Sequence, residues 1–195
     1  MIRSVYSAVA ALTLLAVPAS GATQSLAERL ETCAGCHGVD GRSTLPETPS
    51  LAGQPADYLT VQLFLFREKL RPGTAMTPFA QGLSDAELQQ LSEHYAALEP
   101  PPPQDDPDPQ AYARGAAIAS EHRCGSCHVG DFSGQGQVPR LAGQREDYLA
   151  KALREYESGD RPGYDPVMAE VMAPIPVEEI PDLAHFLAHF DPDAD

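Results

Sequence analysis

The chain has 195 residues, a formal net charge of −15 and no Trp. That length allows one medium domain or two small ones, and so acidic a surface excludes a nucleic-acid phosphate partner while favouring a basic protein patch. Nineteen prolines, several in one run, exclude an unbroken helical rod.

Residues 1–22 read as a secretory signal. Arg3 supplies the positive region, and "VYSAVAALTLLAV" is apolar but too short to span a bilayer. Pro18 and "ASGA" follow, placing cleavage near Gly21 or Ala22. No cysteine stands there to take a lipid anchor. The expected mature protein is soluble, exported to the periplasm, and peripheral to a membrane at most.

The first unit, residues 23–98, opens with a helix over about 25–34 that runs into "CAGCH" (33–37). A long loop rich in Gly and Pro follows. A second helix, about 55–70, carries Leu59, Leu63 and Phe66 at helical spacing. Met76 lies in the loop "RPGTAMTPFAQGLSD", where nothing resembles a core position. "SDAE" (Ser84 to Glu87) then fits a capping box for a last helix with Leu88, Leu91 and Tyr95 on one face.

Residues 99–110, "EPPPPQDDPDPQ", read as a stiff acidic linker. Residues 111–195 then repeat the first unit. "CGSCH" (124–128) matches "CAGCH", "PRLAGQREDYL" (139–149) matches "PSLAGQPADYL" (49–59), Arg161 matches Arg71, and Leu183 matches Leu91. Helices are expected over about 111–123 and 145–158, the latter with Tyr148, Ala152 and Tyr156 on its apolar face. A last helix starts near Ile180, with Ile180, Leu183, Leu187 and Phe190 as its stripe. No strand pattern is visible, so the expected fold is all-α, twice.

All four cysteines lie in the two Cys-x-x-Cys-His motifs: Cys33, Cys36, Cys124 and Cys127. A disulfide within such a pair closes too short a loop to stabilise much. A catalytic redox pair belongs after a strand in an α/β fold, and leaves the histidines unexplained. A shared zinc would need closer pairs than Cys36 and Cys124 and another His spacing. Covalent haem explains the pattern: two thiols add to the two vinyl groups of one porphyrin, and the next residue lies under the iron. His37 and His128 are then the proximal ligands of two haem c groups.

Met76 is the candidate for the opposite face of the first iron. The second unit offers Met168 and Met172. Met168 lies seven residues before Ile175, as Met76 lies seven before Leu83, and this spacing favours Met168. Met172 shares a Met-x-Pro pattern with Met76 and stands as the alternative. His94, His122, His185 and His189 are weaker rivals.

The order Cys-x-x-Cys-His, Pro-x-Leu-Ala-Gly-Gln, Tyr-Leu, Arg, Met and amphipathic helix, present in both halves, resembles the cytochrome c4 family of di-haem class I cytochromes c. The resemblance implies two tandem cytochrome c-like domains related by a pseudo-twofold axis. It also implies that the Pro49 and Pro139 carbonyls accept from the proximal imidazoles, and that Arg71 and Arg161 serve propionates or the interface. The implied function is electron transfer without catalysis. Donors would be a membrane quinol-oxidising complex or a dehydrogenase, and acceptors a terminal oxidase or reductase. The alternatives are a cytochrome subunit of a flavocytochrome c sulfide dehydrogenase or similar complex and, further off, a di-haem peroxidase or thiosulfate-oxidising enzyme. Two departures stand out: "TQS" near the start of the first helix, where the second unit has Arg114–Gly115, and "IPVEEIP" before the last helix.

Overall fold

The computed structural model describes residues 24–71, 75–161 and 166–194; the expected signal segment lies outside them. The first half holds α1 (Leu26–His37), α2 (Ala56–Arg67), α3 (Thr77–Ala80) and α4 (Asp85–Ala96). The second holds α5 (Pro109–Glu121), α6 (Gly125–His128), α7 (Glu146–Glu157), α8 (Pro166–Met172) and α9 (Ile180–His189). Among the described residues there is no strand, only an isolated bridge between Gln135 and Val138. No described helix is long and apolar enough to cross a membrane.

Local chemistry sets the helix ends. Ser25 and Ser84 each accept from the N–H three residues on, and Glu28 and Glu87 reach back to complete two capping boxes. α5 begins two residues before its expected start. Asp108 accepts from Gln110 and Ala111 N–H, and Pro109 sits in the first turn where it loses no bond. α9 starts at Ile180 as expected, with Pro181 in its first turn and no side-chain cap.

Each half has its own core. Phe66, Ala80, Leu83, Leu88 and Leu91 make the first. The second is larger, with Ile118, Phe132, Leu149, Leu153, Met172, Ile175 and most of α9. Here the expected face of α7 needs correction. Leu149 and Leu153 point into the core, whereas Tyr148 and Tyr156 are only half-buried and turn toward Arg161. Tyr156 also packs at the edge of that core, so the aromatic spacing serves both the core and the contact with Arg161.

Gly115 explains how α5 meets α9. A Cβ there would lie 2.1 Å from Asp182 O and 2.5 Å from Phe186 Cβ, so only glycine permits this crossing. α1 starts too late in the chain to make the equivalent one. The Pro-rich segment is packed rather than free. Gln104 N–H donates to Ala188 O at 3.0 Å, and Arg42 donates to Pro100 O at 3.1 Å. A Cβ on Gly53 would meet Pro100, and one on Gly143 would meet Pro101 O, so the strap touches both halves.

Candidate haem sites

His37 is the last residue of α1, and His128 the last of α6. Both are buried, at 5% and 7% exposure. His37 Nδ1 lies 2.9 Å from Pro49 O, and His128 Nδ1 lies 2.9 Å from Pro139 O. A carbonyl only accepts, so each Nδ1 carries the proton and each Nε2 keeps a free lone pair. Burial lowers both imidazole pKa values, and the carbonyl bond opposes this only in part. Both rings are therefore held neutral, the form that ligates a metal.

The four cysteines are free thiols, Cys33 and Cys124 half-buried and Cys36 and Cys127 exposed. Burial pushes the Cys33 and Cys124 thiols up, so both are protonated at neutral pH. In each pair the first cysteine stands one helical turn before the histidine and the second immediately before it. Two thiols beside one neutral imidazole, in each half, are the donor set that a covalent haem requires.

Met76 precedes α3 and is half-buried against the first core. Met168 sits inside α8, not in a loop as its partner does, and is half-buried against the second core. Met172, one turn later, is 1% exposed and packed within that core. In burial, though not in secondary structure, Met168 is the counterpart of Met76.

Arg71 and Arg161 are also buried. Arg161 pairs with Glu155 at 3.3 Å and donates to the Tyr148 hydroxyl at 3.3 Å. Arg71 donates to Gln62 Oε1 at 2.7 Å and lies 4.7 Å from the Phe66 ring centre. Burial alone would raise the Tyr148 hydroxyl, but the Arg161 and Arg71 guanidiniums overcome it and bring the pKa below the ordinary tyrosine value. Tyr58, beside it, is pushed up by burial and then by Tyr148. Among the described residues only Glu155 forms an ion pair with this couple of cations, which leaves room for further anionic groups.

Residues that the sequence reading did not assign tie the halves together. Ser50 N–H donates to Gln144 Oε1 at 2.8 Å, and Gln144 Nε2 donates back to Ser50 O at 2.9 Å. Arg140 N–H donates to Gln54 Oε1 at 3.1 Å, and Gln54 Nε2 donates to Arg140 O at 2.9 Å. Tyr58 N–H donates to Gly136 O at 3.1 Å, and Arg145 Nη1 to Ser43 O at 3.1 Å. Lys151 pairs with Glu47 at 2.9 Å. The available signal was the repetition of "LAGQ" and "DYL" in both halves.

Among the rival histidines, His94 packs edge-on against Tyr95. Glu146, His185 and His189 bring three ligand-type atoms within 4.8 Å. However, His185 Nε2 accepts the Asp108 N–H at 3.0 Å, so Nδ1 holds the proton and donates to Glu146 at 3.1 Å. That leaves His185 no lone pair for a metal. The trio is a strut joining α9 to α7 and to the cap of α5.

The cytochrome c family model matches residues 21–98 and again 112–191. Cytochrome c4 of Thiocapsa roseopersicina is 32% identical over 166 residues, 80% of this chain and 85% of that one. A thiosulfate dehydrogenase electron acceptor of Thiomonas intermedia is 33% identical over 177 residues, 82% of this chain and 78% of that one. The structure of cytochrome c4 from Acidithiobacillus ferrooxidans superposes with a TM-score of 0.73 at 30% identity, covering 82% of this chain and 98% of that one. Two neutral buried imidazoles, each beside a thiol pair, fit the two covalent haem c groups of such proteins. The chain belongs to the cytochrome c family, as a di-haem electron-transfer protein of the cytochrome c4 type rather than an enzyme.

Proposed function

We propose that Cys33 and Cys36 hold one haem and Cys124 and Cys127 the other, that His37 and His128 are the proximal ligands, and that Met76 and Met168 complete the two irons. The observation that carries this is the repeated pairing of a buried imidazole with a proline carbonyl behind a thiol pair. The burial of Met172 supports Met168 as the second sulfur ligand. Arg71 and Arg161 would take the haem propionates, since among the described residues only Glu155 forms an ion pair with them. His37 with Met76 and His128 with Met168 would leave a bound haem no open position, which would favour outer-sphere transfer over ligand chemistry and a potential above that of a bis-His site. The haem irons, once bound, cycle between ferric and ferrous.

In this reading residues 23–98 and 111–195 are two domains strapped by residues 99–110, and residues 1–22 direct export to the periplasm. There the protein carries electrons from a quinol-oxidising complex or dehydrogenase to a terminal oxidase or reductase. Its acidity steers short-lived encounters with basic patches. The ferric absorption spectrum tests the ligand set. Met76→Ala and Met168→Ala should each remove about half of the Met-to-iron charge-transfer band, since each serves one of two sites. Met172→Ala should keep the band. Loss of about half of the band in Met172→Ala, with the band kept in Met168→Ala, would reassign the second ligand.

A second reading rests on the similarity to the Thiomonas electron acceptor. Here the protein is the dedicated acceptor of a thiosulfate-oxidising or similar dehydrogenase. Co-purification of a stable dehydrogenase partner supports it, and a partner-free protein with rapid transfer to an oxidase supports the first.

A further inference from the structure

The two glutamines that cross the interface reach past it. Pro49 O and Ser50 N–H belong to one peptide group. Its oxygen accepts from His37 Nδ1 at 2.9 Å while its N–H donates to Gln144 Oε1 at 2.8 Å. Pro139 O and Arg140 N–H form the matching group. Its oxygen accepts from His128 Nδ1 at 2.9 Å while its N–H donates to Gln54 Oε1 at 3.1 Å. In each case the amide nitrogen of the glutamine closes a ring onto the next carbonyl. Gln54 and Gln144 are each 4% exposed, so water does not compete for these bonds.

A peptide group that donates through its N–H becomes more polar, and its carbonyl becomes a better acceptor. A better acceptor draws on the Nδ1 proton and makes the imidazole a more electron-rich ligand. An electron-rich imidazole favours the ferric state. The glutamine that polarises each peptide belongs to the other domain. We propose that Gln54 and Gln144 are crossed positioning residues. Gln144 tunes His37 and the first haem, and Gln54 tunes His128 and the second. Docking of the domains thereby helps set both potentials, and loosening it shifts both upward. The shorter bond, 2.8 Å against 3.1 Å, gives Gln144 the larger effect.

This inference rests on His37 and His128 being the iron ligands. Its test uses the holoprotein, with NMR of the ferrous state and a redox titration in which each haem is assigned. Gln144→Met should move the His37 Nδ1 proton upfield and leave that of His128 in place. It should shift the reduction equilibrium of the first haem about two- to tenfold toward ferrous, which is about 20 to 60 mV for one electron. Gln54→Met should do the same, more weakly, to His128 and the second haem. A shift confined to the domain that carries the substitution, an equal shift in both, or no shift in a folded variant overturns the proposal. Hydrogen exchange on the unmutated protein tests it should a variant fail to fold. The Ser50 and Arg140 amides should be strongly protected, and exchange at the rate of an open loop overturns the crossed bonds. Absence of iron-shifted His37 and His128 signals in the unmutated protein would instead sink the ligand assignment.

Discussion

Gly41 and Phe132 hold the same place in the two domains and meet the same backbone demand in opposite ways. The Gly41 carbonyl accepts from Leu51 and Ala52 N–H at 2.7 and 3.1 Å; the Phe132 carbonyl accepts from Leu141 and Ala142 N–H at 2.9 and 3.2 Å. Both residues have positive φ, 74° and 55°. Glycine adopts that conformation freely, whereas for phenylalanine it costs about 1–2 kcal/mol. In the first domain nothing larger than glycine fits, because a Cβ at Gly41 would crowd Ala52 N and Leu98 Cδ1 at 3.0 and 3.1 Å. In the second the ring is what the core uses. Phe132 stands edge-on to Phe186 and Phe190, at 5.6 and 4.8 Å between centres, and is 6% exposed. The duplicated backbone is thus one design filled by two cores. The second is larger and more aromatic than the first.

The sharpest way to break this comparison is to remove the ring. Phe132→Ala should destabilise the second domain by about 3–4 kcal/mol, a cavity cost with no offset, since alanine keeps the Cβ that strains the positive φ. Chemical denaturation followed at the haem absorption measures it, and a neutral result would mean the ring does not hold the core. Next in size, Gly115→Ala should cost about 3 kcal/mol, since its Cβ meets a backbone carbonyl that cannot rotate away. In the first domain the matching residue, Gln24, lies ahead of α1 and makes no such crossing.

A gain is expected on the other side. Ser92 is fully buried with its hydroxyl unpartnered, and Ala184 stands at the matching place in α9. Ser92→Ala should therefore stabilise the first domain by about 1 kcal/mol, seen as a higher denaturation midpoint. A loss of that size would mean the hydroxyl has a partner.

The smallest effect concerns the pairs that tie the first helix of each domain to its last. Arg29 meets Glu87 at 3.2 Å and Arg114 meets Asp182 at 2.8 Å. The Arg114 bond holds the Asp182 carboxyl below its ordinary value. A lowered folded pKa means that the unfolded chain binds the proton first, so this stability is present above the ordinary aspartate range and is lost as pH falls through it. Arg114→Ala should flatten the acid limb of the stability profile and change little at neutral pH. An unchanged acid limb would leave the pair without a stabilising role.

How much of this the sequence disclosed follows from how local each feature is. The thiol pairs, their histidines and the Ser84 capping box are each written within a few residues, the proline carbonyls followed from the family resemblance, and the duplication announced two domains. α8 was missed although Pro166 stands at its first position, a common mark of a helix start. Gln54 and Gln144 were not assigned because their partners lie across the interface. "LAGQ" looks the same whether its glutamine bonds within its own loop or into the other half. Only the docked pair of domains shows that each glutamine serves the opposite one.

Everything above depends on two haems in one chain, and an intact mass of the purified, exported protein tests that most directly. The expected result is the polypeptide plus two haem groups, with one retained on the "CAGCH" peptide and one on the "CGSCH" peptide after digestion. A mass with one haem or none, or with Cys33–Cys36 or Cys124–Cys127 recovered as a disulfide, would contradict it.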